Sequence, residues 1–596
     1  MIHLYKSLKN LLSPEDFKKI TFLSLLLFII VCFEVFAVLV ITFLVSSLTD
    51  LDQVMLKVNL FLLHFSIFDS AHSQSMNNLL IVIILYICFS VCVYLFVMRY
   101  VSLQTQLITS HLKSDFIAAT LSTSWMDNIN QNSSQRISNV LNDTVQIGFT
   151  LIDLMYLLSR TYLAILLILW LFYADPLITT LIFSTLIILY TFIHFGLRAS
   201  LLRYGELSVE FNQKLVQSLT NMFGHIKEII FYDSQAKQES ALNEINLTIA
   251  HSTGQKFFLV NIPRFLIDSL ILIIMVGGVA YYGNVGGVSE NFYSTISIFG
   301  IAAIKMLPAI QNIFYYTQQI LARKPNLDNL IHFYQNSNDR SFDTITSSFD
   351  PIHIEANILF KNIYFEYEHS KTTLFNVSTS IEIGKKIAIV GPSGSGKSTF
   401  LDILLGILPP SSGEILVDSR PINLVSSTHY RQNISYVPQK IFLVDGTLKE
   451  NILLYGGEAF LDMSQEIVLN QSKVSNFLES LEGGLDTMIS ESSQKISGGE
   501  KQCIGFARAF SQDKKIMVLD EATSSMDQDL SISIINSVFS SSKTVVCATH
   551  QAHLLHLFDE IMVFENGRLA DVGSLDDLLK TNKFIIGLMQ NNSHKV

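Results

Sequence analysis

Charged residues are scarce in this 596-residue chain, at 15% of the total against roughly 25% in an average soluble protein. Apolar residues make up 49%, which excludes a disordered chain and argues against a wholly soluble one. Basic residues are not in excess: 40 Lys and Arg stand against 51 Asp and Glu, so we expect no nucleic-acid partner. The five cysteines are too few and too scattered for a disulfide framework or a zinc site.

Long apolar runs are plentiful in the first half of the chain. Residues 79–98 and 177–197 carry no formal charge, and each run reaches the roughly 20 residues that a helix needs to cross a bilayer. Four further runs contain one or two charged residues, which membrane helices tolerate when the charge faces an interior cavity. We therefore predict six spans, at about 21–48, 79–98, 151–173, 177–197, 265–282 and 292–313.

The distribution of Lys and Arg predicts the orientation of these spans. Four lysines precede the first span, whereas the loops after spans 1, 3 and 5 hold only Lys57. The two long segments after spans 2 and 4 are rich in basic residues. Because basic residues mark the cytoplasmic side, we expect the N-terminus, both long segments and everything after span 6 to be cytoplasmic. The segment 51–68 outside is either an interfacial helix or a packed loop.

A polar stretch separates the apolar half from the rest. Residues 336–348 are rich in Ser, Asn, Asp and Thr, a composition typical of a linker. Beyond it, short β-type runs such as 387–390 and 516–519 alternate with helical patterns. We predict a multi-domain membrane protein with a six-helix α transmembrane domain at 1–335, a linker at 336–353 and an α/β domain at 354–596.

The segment 391–398 reads Gly-Pro-Ser-Gly-Ser-Gly-Lys-Ser and fits the phosphate-loop pattern GxxxxGK[ST]. It follows a predicted strand and opens a predicted helix, which is the context that this motif requires. The glycines allow backbone N–H groups to curl around phosphate oxygens, and the helix N-terminus adds its positive end. Lys397 is expected to reach the β- and γ-phosphates, and the Ser398 hydroxyl to ligate Mg²⁺. The cofactors predicted are therefore ATP and Mg²⁺.

Two acids follow an apolar strand further along the chain. Asp520 ends the strand and Glu521 follows it. An acid at the end of a buried strand can face the Mg²⁺ shell, and a second acid beside it can polarise the attacking water. Alone, such a pair is also typical of a helix N-terminus, but its combination with the phosphate loop favours ATP hydrolysis.

The sequence between and around these motifs resembles the ABC transporters. Residues 496–502 resemble the LSGGQ signature, 524–527 a D-loop, 437–439 a Q-loop, and 549–550 the segment of the switch histidine. Residues 362–367 resemble the adenine-stacking A-loop. The motifs stand in the order of that family, and six spans ahead of one such domain is the layout of an ABC exporter.

The resemblance implies a homodimer in which two ATP molecules lie between head-to-tail ATPase domains. It implies catalytic roles for Glu521, His550 and Gln439, and magnesium ligation by Ser398, Gln439 and Asp520. The nucleotide-binding residues that it implies are Tyr367, Gly391, Pro392, Ser393, Gly394, Ser395, Gly396, Lys397, Ser398, Thr399, Ser497, Gly498 and Gly499. It also places short coupling helices near 126–136 and 222–233.

The signature departs from the family pattern at three places. It begins with Ile496, carries Glu500 where Gln is usual, and has Cys503 where Arg is common. The serine and glycines that would contact phosphate are retained. These departures put the details of coupling in question, and ATP binding is still expected.

A narrower resemblance bears on the cargo. Residues 263–264, 294–299 and 305–308 resemble bacterial flippases of lipid-linked oligosaccharides used in protein N-glycosylation. In that group basic residues lining the cavity are thought to meet the pyrophosphate-oligosaccharide head, and the matching residues here are Arg264 and Lys305. Pairing with Asp268, Asp153 or Glu34, or snorkelling, is the alternative for such residues.

Three hypotheses about function follow. The first is a flippase in the inner (plasma) membrane that moves a lipid-linked oligosaccharide from the cytoplasmic to the outer leaflet. The second is an exporter of another lipid, a peptide or a drug. The third is an ATP-gated regulator or channel, which the presence of Glu521 and His550 disfavours.

Overall fold

The computed structural model describes residues 11–47, 72–123, 125–130, 133–284, 290–338, 354–367, 372–422, 428–456, 465–491, 496–541 and 543–593. The predicted external segment 51–68 and most of the predicted linker lie outside these ranges. Internal contacts divide the chain into two compact units. The first comprises Met1–Thr123 and Asp127–Ser341, and the second comprises Ser124–Met126 and Phe342–Val596.

The first unit is built from long helices, because its apolar runs satisfy their backbone hydrogen bonds internally. The bounds of the long helices are α1 Pro14–Ser47, α2 His72–Ser122, α5 Thr144–Ala174, α6 Pro176–Gly224, α8 Gln235–Asn284 and α9 Glu290–Ala322. The shorter ones are α3 Trp125–Asn130, α4 Ser133–Ser138, α7 Ile226–Phe231 and α10 Lys324–Asn338, with a π-helical turn at Asn139–Asp143. Of these short helices, α7 lies within the second range predicted for a coupling helix, and α3 begins one residue before the first range and overlaps it.

Four helical stretches in the described part of the chain are long and apolar enough to cross a membrane. They are Pro14–Thr42, Ile81–Ser122, Ser134–Tyr173 and Thr179–Gly224, and they contain the first four predicted spans or most of them. The described residues of α8 and α9, which cover the fifth and sixth predicted spans, supply no comparable stretch. The count of six is therefore not confirmed, although helix covers all six predicted positions.

Side-chain exposure in this unit follows the pattern of a membrane protein. Leu167 on α5, Val31 on α1 and Ala302 on α9 pack into one buried cluster. Large apolar residues remain exposed on α2 and α6, among them Phe96 and Phe192. Bands of exposed apolar side chains on long helices are costly in water and favourable against lipid. The chain is a multi-pass membrane protein.

The described residues of the second unit form three sheets. The strands are β1 Asn357–Glu366, β2 Thr372–Glu382, β3 Lys386–Val390, β4 Ser412–Val417, β5 Arg420–Pro421, β6 Ile434–Val437, β7 Gly446–Thr447, β8 Met488–Ile489, β9 Ile516–Asp520, β10 Thr544–Ala548, β11 Glu560–Glu565 and β12 Arg568–Gly573. Strands β2-β1-β4-β5 form an antiparallel sheet, and β12-β11-β3-β10-β9-β6 form the central sheet. The third is a two-stranded antiparallel sheet of β7 and β8, which are distant in the sequence.

The central sheet positions the candidate site. Its strands β11, β3, β10, β9 and β6 are parallel, and β10 is buried along its whole length, as expected for a sheet covered on both faces. The helices of this unit are α11 Lys397–Leu404, α12 Thr428–Arg431, α13 Leu448–Ile452, α14 Gln465–Gln471, α15 Ser475–Leu478, α16 Gly498–Ser511, α17 Gln528–Ser540, α18 Leu575–Thr581 and α19 Lys583–Ser593. Parallel strands end at one edge of the sheet, where ligands bind in such folds.

Candidate functional site: a phosphate loop and its neighbours

The phosphate loop connects β3 to α11 at the carboxyl edge of the central sheet. Its backbone turns sharply, with positive φ angles of 153° at Gly391 and 99° at Gly396. A Cβ atom at Gly391 would lie 2.1 Å from the carbonyl oxygen of Phe564, and one at Gly396 would lie 2.7 Å from the Leu374 side chain. Only glycine fits these two positions, so the loop can present its N–H groups towards a phosphate.

Lys397 is almost fully buried at the first position of α11. Its ammonium donates hydrogen bonds to the carbonyl oxygens of Gly391, at 2.8 Å, and of Pro392, at 3.1 Å. Burial lowers the pKa of Lys397, and the nearby carboxylates of Glu521 and Asp520 oppose that shift. The loop carbonyls therefore hold the lysine in place, and the nearby charges of the two acids stabilise its positive charge.

Asp520 and Glu521 follow one another at the end of β9. Burial raises the pKa of Asp520, as does the neighbouring charge of Glu521, while Lys397 acts in the opposite direction. Glu521 adopts a left-handed backbone conformation with φ of 48°, and its N–H donates to the carbonyl of Ala548 at 3.0 Å. This costly conformation aims the two successive carboxylates at different neighbours.

The three predicted catalytic residues are in contact, because Gln439 and His550 both reach Glu521. The side-chain amide of Gln439 donates to Glu521 Oε2 at 2.8 Å. Nε2 of His550 lies 2.8 Å from Glu521 Oε1. Gln439 follows β6, Glu521 follows β9 and His550 follows β10, so adjacent strand ends bring together residues that are far apart in the sequence.

The remaining predicted nucleotide residues lie at two other places. Tyr367 follows β1, and its hydroxyl is 3.3 Å from Oγ1 of Thr399 on α11. Its ring packs edge-on against Phe365, with centroids 4.9 Å apart. An aromatic ring beside the phosphate loop is suited to stacking on a purine base.

Ser497 and its two glycines begin α16. The Ser497 hydroxyl accepts a hydrogen bond from the N–H of Glu500, and the Glu500 carboxylate accepts one from the N–H of Ser497 at 2.6 Å. This capping box fixes the start of the helix. The unusual Glu500 thus has a local partner. Because Ser497–Gly499 lie at a helix N-terminus, their groups are arranged to bind an anion.

Two glutamines that the sequence reasoning did not single out hold the predicted D-loop and the residue before it. The buried Gln502 donates to Ser524 Oγ at 3.3 Å and accepts from the N–H of Ser525 at 3.2 Å. Gln551 accepts from the Thr523 hydroxyl at 2.8 Å and donates to the Thr523 carbonyl at 3.0 Å. The available signal was their position, Gln502 at the end of the signature segment 496–502 and Gln551 directly after His550.

The two residues proposed to meet the cargo lie in different surroundings. Lys305 forms an ion pair with Glu34 at 3.0 Å, and Arg160 lies 3.9 Å from the same carboxylate. Arg264 forms no ion pair within the described residues. It lines a cavity of about 370 Å³. The structure therefore does not bring Arg264 and Lys305 into one site.

The other predicted acids of the first unit also have partners. Asp153 pairs with Arg323, and Asp268 accepts a hydrogen bond from Gln311. Within the described residues, neither acid forms an ion pair with Arg264 or Lys305.

Comparisons with known proteins bear on the family and the fold. Residues 374–524 match the family model described as ABC transporter. An ABC transporter ATP-binding protein of Mycoplasma genitalium is 28% identical over 498 residues, covering 79% of this chain and 81% of that protein. An ATP-dependent lipid A-core flippase of Mannheimia succiniciproducens is 26% identical over 389 residues, covering 63% of each chain. The chain thus spans under two thirds of the flippase.

A solved structure extends the likeness to the whole fold. It is a bacterial Atm1-family ABC exporter with ATP bound, and it is similar with a TM-score of 0.77 at 18% identity over 97% of this chain and 98% of that one. The chain has the fold of an ABC exporter half-transporter, in which a helical membrane domain precedes an ABC ATPase domain. Its second unit is an ATPase of the kind that couples ATP hydrolysis to transport.

Proposed function

We propose that two copies of this chain form an ATP-driven flippase that moves a lipid-linked oligosaccharide outward across the inner (plasma) membrane. The proposal includes six membrane spans, with the N-terminus and the ATPase domain on the cytoplasmic side. The observation that carries the cargo class is Arg264, a cation without an ion pair in the described residues, facing a cavity in the membrane unit. An unpaired cation beside apolar helices calls for an anionic ligand.

The lining of the Arg264 cavity suits a phosphorylated glycan. Arg264 can donate several hydrogen bonds to phosphate oxygens in a planar arrangement. Beside it lie the amide side chains of Asn261 and Asn312 and the rings of Tyr315 and Tyr316. Amides and tyrosine hydroxyls can both donate and accept hydrogen bonds, as sugar hydroxyls require. The Mannheimia relative, named a lipid A-core flippase, supports a lipid cargo and keeps other lipids as the second candidate.

In the proposed cycle, ATP binds to the phosphate loop of one chain and the signature of the other. Lys397 contacts the β- and γ-phosphates, and Tyr367 stacks on adenine. Ser398, Gln439 and Asp520 offer the oxygen ligands that Mg²⁺ prefers, so the residues present fit this ion. Bound Mg²⁺ would neutralise charge that develops on the phosphates.

The chain's own chemistry would centre on Glu521. In the structure Gln439 and His550 each contact one oxygen of its carboxylate, which holds the carboxylate in one orientation. From there Glu521 would accept a proton from the attacking water, and His550 would contact the γ-phosphate. Ser497, Gly498 and Gly499 of the second chain would close the site.

Transport in proteoliposomes tests this proposal. We would supply a fluorescent polyprenyl-pyrophosphate glycan and compare wild type with Glu521→Gln and Arg264→Ala, using Arg203→Ala as an exposed arginine control. We expect ATP hydrolysis to fall by about 10²–10⁴-fold in Glu521→Gln, as for loss of a general base, and translocation to stop. In Arg264→Ala, translocation should fall while basal ATPase activity survives.

Two results would contradict this account. Equal translocation by wild type and Glu521→Gln would remove the pump mechanism. Unchanged translocation in Arg264→Ala, with an active ATPase, would remove Arg264 from the cargo path and favour a different cargo.

A further inference from the structure

A second cavity in the membrane unit has an unusually polar wall. It measures about 320 Å³ and lies between the start of α5 and helices α6, α8 and α9. The amide side chains of Asn142, Gln146 and Asn212 line it, together with the charged groups of Asp143, Lys256 and Arg323. It shares Val260 with the Arg264 cavity, while its charged groups are a different set.

Asp143 brings a buried, partly hydrogen-bonded carboxylate to this cavity. The residue is 2% exposed, and its Oδ1 accepts a hydrogen bond from Asn326 at 2.7 Å. Its Oδ2 is buried and accepts no hydrogen bond within the described residues, as is true of Asn139 Oδ1 one turn earlier. The Asn329 amide lies near enough to stabilise the Asp143 carboxylate without forming such a bond. Both residues belong to the π-helical turn Asn139–Asp143, a deformation that recurs at functional sites. A buried carboxylate oxygen without a donor is costly.

Lys256 brings a positive charge to the same cavity. Within the described residues it forms no ion pair, although it is half-buried. Burial lowers the pKa of Lys256, and the positive charge of Arg323 does so further. Arg323 itself is neutralised by its pair with Asp153 and lies over the Phe149 ring. Lys256 and Asp143 therefore face one cavity with opposite charges, yet do not pair with each other.

We propose that this cavity binds a small zwitterion, a molecule carrying an ammonium group and an anionic group a few bonds apart. The ammonium would donate to Asp143 Oδ2, and the anionic group would accept from Lys256, with the amides satisfying the remaining polar atoms. A simple anion would face the Asp143 carboxylate, and a simple cation would face Lys256 and Arg323. The volume is at the low end for ligand sites, which favours a ligand of amino-acid size.

This site goes beyond the proposed flippase activity, since it concerns a ligand other than the anionic cargo. Two sources share its chemistry: a soluble amino acid, and the head group of phosphatidylethanolamine. We commit to the zwitterion and distinguish the sources by lipid composition.

Calorimetric titration of the full-length protein with glycine tests the proposal. The protein is held in nanodiscs of phosphatidylglycerol, and acetate and methylamine serve as ligands that each lack one charge. We expect glycine to bind at least about tenfold more tightly than either. Lys256→Met and Asp143→Asn should each weaken glycine binding by about ten- to hundredfold, whereas Lys214→Met and Asp115→Asn, which change exposed residues outside the cavity, should not.

Further variants keep the test decisive. Val209→Phe should fill the cavity from α6 and abolish binding without removing a charge. Asp143→Asn removes an unpaired buried charge, so its thermal midpoint without ligand should match or exceed that of wild type. Repeating the titration in phosphatidylethanolamine nanodiscs separates the sources: unchanged affinity indicates a soluble zwitterion, and a weakened affinity indicates competition by the head group. Equal binding of acetate or methylamine and glycine, or full affinity in Lys256→Met, would overturn the proposal.

Discussion

At the scale of single residues, Glu500 is the departure whose consequence is easiest to measure. Its carboxylate closes the capping box on Ser497, at the helix end that would contact the partner's ATP. A glutamine can make the same hydrogen bond without the negative charge. The negative charge of Glu500 partly cancels the positive end of the α16 dipole, so this helix N-terminus should bind an anion less tightly.

We therefore expect Glu500→Gln to lower the KM for ATP. A charge at a helix terminus is worth about 0.3–1 kcal/mol, which corresponds to a roughly two- to fivefold lower KM for ATP. The measurement is steady-state ATPase activity in nanodiscs at low and high salt, where added salt should shrink the difference. Glu414→Gln, an exposed acid elsewhere in the ATPase unit, is the matched control. A KM that stays the same or rises at low salt would refute the electrostatic reading of Glu500.

Functional residues that lie within a continuous sequence motif could be predicted from the sequence. Residues whose role depends on contacts formed in the folded chain could not. The phosphate loop holds its chemistry within eight positions, so Lys397 and Ser398 were identifiable at once. Gln502 and Gln551 act through contacts with Ser524 and Thr523, which only the folded chain brings close. Likewise, the sequence left three possible acidic partners for the intramembrane cations, and the structure selects Glu34 for Lys305.

At the scale of elements, the D-loop is joined to structures on both sides of it. Gln502 ties Ser524 and Ser525 of the predicted D-loop to helix α16. Gln551 holds Thr523, the residue just before this loop, to the segment after β10 that carries His550. A Cβ at Gly498 would lie 3.5 Å from the Ser525 side chain, so the signature glycines pack on the same loop. The half-site around Glu521 and the signature that would serve a partner's ATP are therefore connected through Thr523, Ser524 and Ser525.

We expect Gln551→Ala to lower kcat with little change in KM for ATP. The side chain holds Thr523 by two hydrogen bonds and, by its position after His550, acts on the catalytic residues indirectly. Losing about 1–2 kcal/mol of positioning would lower kcat roughly five- to thirtyfold. Gln512→Ala, at the C-terminal end of α16, is the control. A raised KM with unchanged kcat would instead indicate a role in binding the nucleotide.

At the scale of the whole molecule, the membrane unit was the harder part to predict. Hydropathy located helices at all six positions, because uninterrupted apolar runs such as 79–98 admit one interpretation. Hydropathy did not settle the number of membrane crossings, because α8 carries two charged residues, Arg264 and Asp268, and contains Pro263 inside the helix. Whether such charges face cargo or one another depends on the packing of helices that are distant in sequence.

The node around Glu34 shows how these charges contribute to the membrane unit. Glu34 on α1 is paired with Lys305 on α9, while Arg160 on α5 lies 3.9 Å from it and bonds to the Tyr94 hydroxyl of α2 at 2.8 Å. One carboxylate thus connects three helices directly and a fourth through Arg160. A charge removed from such a node leaves its partner poorly compensated in a region of low dielectric.

We accordingly expect Lys305→Met to destabilise the protein and Glu34→Gln to restore it in the same chain. The single change leaves Glu34 with only the more distant Arg160 and should cost about 1–3 kcal/mol, seen as a lower thermal midpoint of the purified protein in detergent. The double variant removes both charges and should recover most of the loss. Lys214→Met, which breaks an exposed pair with Glu210, should cost under about 0.5 kcal/mol. If Lys305→Met kept full stability but lost transport, Lys305 would belong to the cargo path and the Glu34 pair would not be its main role.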